Sequence, residues 1–245
     1  MSLFVMADLH LSSDRSKSME VFGARWAGYM EKIRKNWCAV VSDGDTVIVP
    51  GDISWGLKLE DTADDFRFLD ALPGEKIIGK GNHDFWWATQ KKTEDFWRQI
   101  GVGTIRLLSN NAYLREGLLI AGTRGWFLDE EQQRTVGEVD YRKIINREVI
   151  RLRMSLDAAK KQQAAEAPQS HIGVFLHFPP VWGSFVCREI LDVLHEYDIR
   201  NCWFGHIHGA YASPAAWTYE GITFRNCAAD YLNFAPLPIS DVRFW

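Results

Sequence analysis

What most constrains this chain is a recurring pattern: a short apolar run that stops at a carboxylate or a histidine, followed by turn residues or helical periodicity. Leu3 to Ala7 stops at Asp8-Leu9-His10. Asp45 to Pro50, with Thr-Val-Ile-Val inside it, closes on Gly51-Asp52, and Lys76 to Ile78 opens into Gly79-Lys80-Gly81-Asn82-His83-Asp84. Further on, Ile172 to Leu176 runs into His177, and Asn201 to Phe204 into Gly205-His206-Ile207-His208. Short continuous apolar runs bounded by turn signals read as buried strands.

Helical periodicity fills most of the intervals. Glu20 to Val41 carries Phe22, Trp26, Met30, Ile33 and Trp37 at three- and four-residue steps, which predicts one amphipathic helix. Phe66, Leu69 and Leu72 mark a second, ended by Pro73-Gly74, and Thr89 to Ile100 a third. Val139 to Ala167 is expected to be a long helix with Ile145, Val149, Leu152 and Leu156 on one stripe, with Thr135-x-x-Glu138 upstream as a loose capping box. Arg188 to Tyr197 completes the set. Ile105 to Leu108, Ala112 to Arg115 and Leu118 to Ala121 read as hairpin pieces, and Trp217 to Tyr219 with Ile222 to Cys227 as a hairpin turned at Glu220-Gly221. Strand–helix units followed by hairpins imply an α/β sandwich of two sheets with helices outside, as one domain.

Composition removes other classes. With 245 residues, 47% hydrophobic and 24% charged, the chain is neither disordered, collagen-like nor a coiled coil. No apolar run approaches the ~18 residues of a membrane-spanning helix. The N-terminal residues read as a strand rather than a signal peptide. A net charge of −4 argues against a dedicated nucleic-acid binder. Cys38, Cys187, Cys202 and Cys227 are scattered without a C-x-x-C, and read as reduced, buried thiols of a cytoplasmic protein rather than a disulfide framework or zinc site.

The chemistry concentrates at the strand ends. Of seven histidines, five (His10, His83, His177, His206 and His208) follow predicted strands, beside Asp8, Asp52, Asn82 and Asp84. Strands hold the backbone while the loops beyond leave side chains open to substrate, so cation ligands gather there. The i, i+2 spacing of Asp8/His10 and His206/His208 points both side chains of each pair the same way on extended chain. Glycines before Asp52, Asn82 and His206 are expected to permit sharp turns beside the ligands. Six residues with oxygen or imidazole donors, plus a carboxylate able to bridge, amount to two divalent cation sites, and a cation pair about 3.5–4 Å apart can serve phosphoryl chemistry.

The ordered set D-x-H, G-D, G-N-H-D, H and G-H-x-H, spanning Asp8 to His208, resembles the calcineurin-like metallophosphoesterase superfamily, most closely its small bacterial predicted phosphohydrolases. The resemblance implies a four-layer αββα sandwich of two mixed sheets flanked by helices, one metallophosphoesterase domain over 1–245 with a helical insertion around 128–170. It implies that Asp8, His10, Asp52 and His208 bind one ion and that Asp52, Asn82, His177 and His206 bind the other, Asp52 bridging. The ions would be Mn, Fe or Zn. His83 would assist the leaving oxygen and Asp84 would orient His83. The reaction implied is in-line attack by a metal-bridging hydroxide on a phosphoester, a diester ahead of a monoester. The alternatives are a nuclease of the same superfamily and a non-catalytic scaffold of this fold.

Departures narrow the substrate. Phosphoprotein phosphatases of the superfamily carry G-D-x-x-D-R-G, but here the stretch is Gly51-Asp52-Ile53-Ser54-Trp55-Gly56, without the Asp-Arg pair. The lipid-A-pathway pyrophosphatases of the superfamily carry Arg where His83 stands. A small phosphoester, nucleotide-like ones included, is the expected partner, with nucleic acid not favoured and no membrane span. Eleven tryptophans bear on this. Trp55 and Trp86, beside ligand motifs, are candidate stacking faces, and Arg124 in Gly122-Thr123-Arg124-Gly125 is a candidate phosphate contact. Lys143, Arg147 and Arg151 form a basic stripe at four-residue steps, a solvated face or a rim that attracts polyanions.

Overall fold

The structure, a computed structural model, describes residues 1–13, 18–127 and 141–239. The expected capping box at Thr135 to Glu138, the helix start at Val139 and residues 128–140 of the insertion lie outside the described residues.

Strands β1 (Leu3–Val5), β2 (Thr46–Pro50), β3 (Glu75–Gly79) and β4 (Ile105–Leu107) run parallel, and β13 (Leu237–Pro238) joins antiparallel beside β1. The second sheet has the order β11-β12-β10-β7-β6-β5. Its parallel centre is β12 (Ile222–Asn226), β10 (Asn201–Phe204), β7 (His171–Leu176) and β6 (Leu118–Thr123). Its edges, β11 (Ala216–Tyr219) and β5 (Tyr113–Arg115), are antiparallel. Both sheets are therefore mixed, as expected.

The strands read as continuous apolar runs because both faces are covered. Leu3, Val5, Ile48 and Ile77 of the first sheet meet Leu118, Ile120, Phe175 and Trp203 of the second. Phe4, Val47, Val49 and Ile78 face the other way, onto α1 (Tyr29–Val40), α2 (Ala63–Asp70) and α3 (Gln90–Gln99). Leu119, Val174, Leu176, Cys202 and Phe204 pack under α4 (Tyr141–Glu166) and α5 (Arg188–Glu196). That arrangement is a four-layer αββα sandwich. Period-two alternation divides each strand between two cores.

Three expectations need correction. The helix predicted over Glu20 to Val41 is two 3-10 turns, Met19–Phe22 and Ala24–Trp26, before α1 begins. Gly23 (φ 114°) and Gly28 (φ 61°) adopt backbone conformations that no right-handed helix passes through, so the apolar spacing alone was misleading. Ile105 to Leu108 is not part of a hairpin: β4 leaves its sequence neighbours and pairs parallel to β3 in the other sheet. Cys38 is exposed while the other three thiols are buried and free. Two short strands that sequence did not signal, β8 (Val181–Trp182) and β9 (Phe185–Val186), form a small hairpin after His177.

One buried charge serves the frame. Lys76 on β3 is fully buried, and its Nζ donates to the carbonyls of Asp70, Leu72 and Gly74 and to Thr104 Oγ1. It thereby satisfies carbonyls at the C-terminus of α2 that the helix leaves open. Burial lowers its ammonium to about 8.

Phe175 stacks on Trp203 between the sheets, with ring centroids 4.8 Å apart and 1% exposure. Phe175→Ala is expected to cost about 3–5 kcal/mol in urea unfolding. A loss below about 1 kcal/mol would show that the inter-sheet layer repacks freely.

Candidate metal centre

Loops from six strand ends meet at one edge of the sandwich. The loops after β1 and β2 continue their pairing past the strands, with Asp8 N donating to Gly51 O (3.0 Å) and His10 N to Asp52 O (2.9 Å). In the second sheet Gly205 N donates to His177 O (3.0 Å). The two sheets join where Ala7 N donates to Cys227 O (2.7 Å) and Ala229 N to Ala7 O (2.9 Å).

The expected reason for the glycines holds for one of three. Gly51 has φ 93° and does need a glycine conformation. Gly81 and Gly205 instead supply space: a Cβ at Gly81 would strike the Asp52 carboxylate, and one at Gly205 would strike Asp8 and Ala7. The left-handed backbone falls on the functional residues themselves. Asp8 (φ 60°), His10 (φ 45°), Asp52 (φ 53°) and His206 (φ 69°) all lie there. Each such residue costs on the order of 1 kcal/mol or more, a strain that functional sites retain because the surrounding structure enforces it.

The predicted ligands converge. Asp8, His10 and His208 bring one donor atom each within 4.8 Å of one another, and so do Asp8, Asp52 and His177. Asp52 Oδ2 stands 3.6 Å from His10 Nε2 and 3.5 Å from His177 Nε2. His10 Nε2 and His208 Nε2 are 3.2 Å apart. Asn82 Oδ1 lies 2.5 Å from His177 Nε2 and 3.1 Å from His206 Nδ1. Asp52 Oδ2 is buried and accepts no hydrogen bond. An orphaned carboxylate oxygen between two imidazole nitrogens, in a set of oxygen and nitrogen donors, fits divalent cations.

Electrostatics point the same way. Burial raises Asp8 to about 7, His208 pulling it down and Asp230 and Asp84 pushing it up. Burial first, then the charges of Asp84 and Asp8, raise Asp52 well above the usual carboxylate range. Burial and the neighbouring imidazoles hold His10 and His177 well below their ordinary value, which leaves them neutral and able to ligate. Among the described residues no lysine or arginine pairs with Asp8 or Asp52; their ion-pair partners are histidines.

Positioning residues differ from expectation. Asp84 is buried, and its carboxylate accepts from the N–H groups of Asp52, Ile53, Ser54 and Gly81 and from Trp86 Nε1. It clamps the β2 and β3 loops together, and none of those donors is His83. What lies against the His83 ring is Trp55, at a centroid distance of 4.4 Å, with Trp55 also stacked on His10 at 5.1 Å. Trp86 is 2% exposed, edge-on to Phe66, so it is core rather than a stacking face. Arg124 makes no side-chain contact with the ligands among the described residues; its guanidinium lies over Phe178 and near Glu148.

Asp230 was missed. Its Oδ1 is 2.8 Å from His208 Nδ1, while Oδ2 accepts from Gly209 N and Tyr211 Oη. A carboxylate behind a ligand histidine fixes tautomer and ring direction. The signal existed: Asp230 follows the apolar end of β12 as the other acids follow theirs, but four residues on and without a histidine. Tyr29 Oη likewise holds His10 O at 2.7 Å.

Comparison with known proteins agrees with this geometry. The family described as calcineurin-like phosphoesterase matches residues 1–210. No curated protein matches. Among solved structures, the phosphopantetheinyl hydrolase PptH from Mycobacterium tuberculosis is 13% identical, with a TM-score of 0.55 over 100% of this chain and 98% of that one. The protein TT1561 of Thermus thermophilus is 14% identical, with a TM-score of 0.51 over 94% of this chain and 89% of that one. At these identities the likeness is one of fold.

Two outcomes are expected. Asp230→Ala should weaken Mn²⁺ binding about 10- to 100-fold in a metal titration while the fold persists; unchanged affinity would remove Asp230 from the centre. Burial lowers His208, but the hydrogen bond to Asp230 and the charges of Asp8 and Asp230 carry it above its ordinary value. Asp8, Asp52 and His208 thus hold protons that a cation must displace. Asp8 also binds more protons folded than unfolded between its ordinary 3.8 and about 7, so its contribution to metal-free stability falls as pH rises through that window. The rise in thermal midpoint on adding Mn²⁺ should therefore grow from about pH 5 to about pH 8. A flat or falling dependence would contradict the site.

Proposed function

Because the chain belongs to the calcineurin-like phosphoesterase family, metal-dependent hydrolases of phosphoester bonds, we propose that it is a dinuclear phosphohydrolase that prefers small diesters to monoesters. The observation that carries this is the orphaned Asp52 Oδ2 between the Nε2 atoms of His10 and His177. In this reading Asp8, His10, Asp52 and His208 hold one cation, and Asp52, Asn82, His177 and His206 the other. Divalent ions held there, Mn, Fe or Zn, would supply an acidified water as nucleophile and neutralise charge on the phosphoryl oxygens.

The chain's own residues do the rest. Asp84 keeps Asp52 and Asn82 in one geometry by holding their loops, and Asp230 aims His208. His83 sits beside the ligands with its backbone N–H on Asp52 Oδ1 at 2.8 Å. Burial and His208 hold its imidazole below the ordinary value, so at neutral pH it is uncharged and offers one ring N–H. We assign it to the leaving oxygen, with Trp55 fixing the ring plane. Phe85, 61% exposed and 6.3 Å from the His83 centroid, is the face we assign to a flat, nucleotide-like leaving group.

Two features support a diester. The Asp-Arg pair that would grip a dianionic phosphate is absent from the β2 loop. Among the described residues no lysine or arginine forms an ion pair with Asp8 or Asp52, whose ion-pair partners are histidines. The free thiols fit a reducing, cytoplasmic setting, and no helix among the described residues is long and apolar enough to cross a membrane. Since loops of both sheets build one centre, we read the chain as one domain.

The test is hydrolysis of bis(p-nitrophenyl) phosphate against p-nitrophenyl phosphate by chelator-stripped protein with added Mn²⁺. Faster diester turnover that vanishes without metal is expected, and monoester preference would overturn the diester assignment. His83→Ala should keep its metal yet lose about 10²–10³ in kcat. Loss of metal from that variant would make His83 a ligand instead.

A further inference from the structure

Beside the centre lies a cavity of about 650 Å³ whose wall includes Lys80, Arg124 and Arg151. It opens at the C-terminal ends of β3, β4 and β6, under α4 and against the first turn of α3. That volume is within the range of small-ligand pockets. Its charge is unbalanced. The one carboxylate in the wall, Glu148, is fully buried and already engaged: Oε2 accepts from Thr123 Oγ1 (2.7 Å) and Oε1 from Arg151 Nη1 (2.6 Å), with Arg124 Nη2 at 3.5 Å. Among the described residues Lys80 forms no hydrogen bond or ion pair. Arg124 Nε is buried and has no acceptor among the described residues. A buried guanidinium N–H without a partner is uncommon and marks a place where an acceptor belongs.

Polar side chains add to the wall. Thr89, Gln90, Ser109 and Asn110 line it. Thr89 caps the ten-residue α3, whose N-terminal dipole adds positive potential on the same side. The cavity shares two loops with the metal centre. Lys80 stands two residues before Asn82, and the Arg124 carbonyl accepts from His177 N (3.1 Å) and Phe178 N (2.8 Å). A group held in the cavity is thus tethered to whatever occupies the centre by a short path.

We propose that this cavity is a second anion subsite, binding a non-reacting phosphate of a substrate that carries more than one. The proposal rests on the phosphohydrolase reading for the identity of the anion. Three cations against one engaged carboxylate leave an excess that suits a dianion, and a guanidinium with a free N–H offers the fork that phosphate oxygens accept. Trp87 and Leu108 give the cavity an apolar side for the linking group. Binding energy gathered there, away from the reacting phosphorus, would orient the scissile bond.

The experiment is calorimetric titration of chelator-stripped protein with inorganic pyrophosphate, so that no cation in the centre holds the anion. Saturable one-to-one binding is expected, weakened at least tenfold in Lys80→Gln and in Arg124→Gln. Lys80→Gln loses no partner among the described residues and is the decisive variant should Arg124→Gln unfold beside Glu148; circular dichroism reports which has happened. Absence of binding by the metal-free wild type, or full affinity in a folded Lys80→Gln, overturns the proposal. Failure of the phosphohydrolase reading would show instead as no Mn²⁺-dependent turnover of model diesters, which this titration does not touch.

Discussion

A carboxylate buried between two imidazoles, with no lysine or arginine paired to it among the described residues, is the constraint on which the rest of this molecule turns. Asp52 reaches that position only because β1, β2 and β7, from two different sheets, end at the same edge. The loops then approach so closely that Gly81 and Gly205 have no room for a Cβ. Four of the converging residues accept left-handed backbone as a consequence. Strain of that kind persists where surrounding contacts leave no alternative, and here those contacts are the backbone hydrogen bonds that knit the loops across the sheet boundary.

Around this sits a shell of groups whose task is direction rather than ligation. Asp84 collects four backbone N–H groups and an indole N–H. It is a carboxylate made tolerable in the core by hydrogen bonds rather than by a counter-ion. Asp230 does for His208 what no residue adjacent in sequence could do, and Trp55 braces His10 and His83 together. The fold's stability comes from elsewhere, from three apolar layers that make room for an edge of poorly compensated charge.

The parts legible in the chain were those governed by local rules. Apolar runs marked the central strands because each is buried on both faces, and the acids and histidines at their ends marked the site because ligands follow strands. What failed was whatever depended on distant partners. Phe22, Trp26 and Met30 keep helical spacing, yet two glycines with positive φ divide that segment. β4 looks like its hairpin neighbours but pairs with β3. Trp86 stands beside a ligand motif in sequence and points into the core, because Asp84 takes its N–H. Asp84 neighbours His83 in the chain, but its hydrogen bonds run to the β2 loop.

By itself, then, the sequence determined which residue types stand at which strand ends, and with them the donor set and the chemistry open to it. Side-chain identity and the period of burial are local properties, and a single chain displays them. Tertiary structure alone decided which donors share an atom's neighbourhood, that Asp52 Oδ2 is left without a hydrogen bond between two imidazoles, and that Asp230 stands behind His208. It also decided that Lys80, Arg124 and Arg151, spread over 72 positions of the chain, line one cavity. Those are relations between segments brought together by sheet pairing. Nothing in the neighbourhood of any one residue records which distant loop will close upon it.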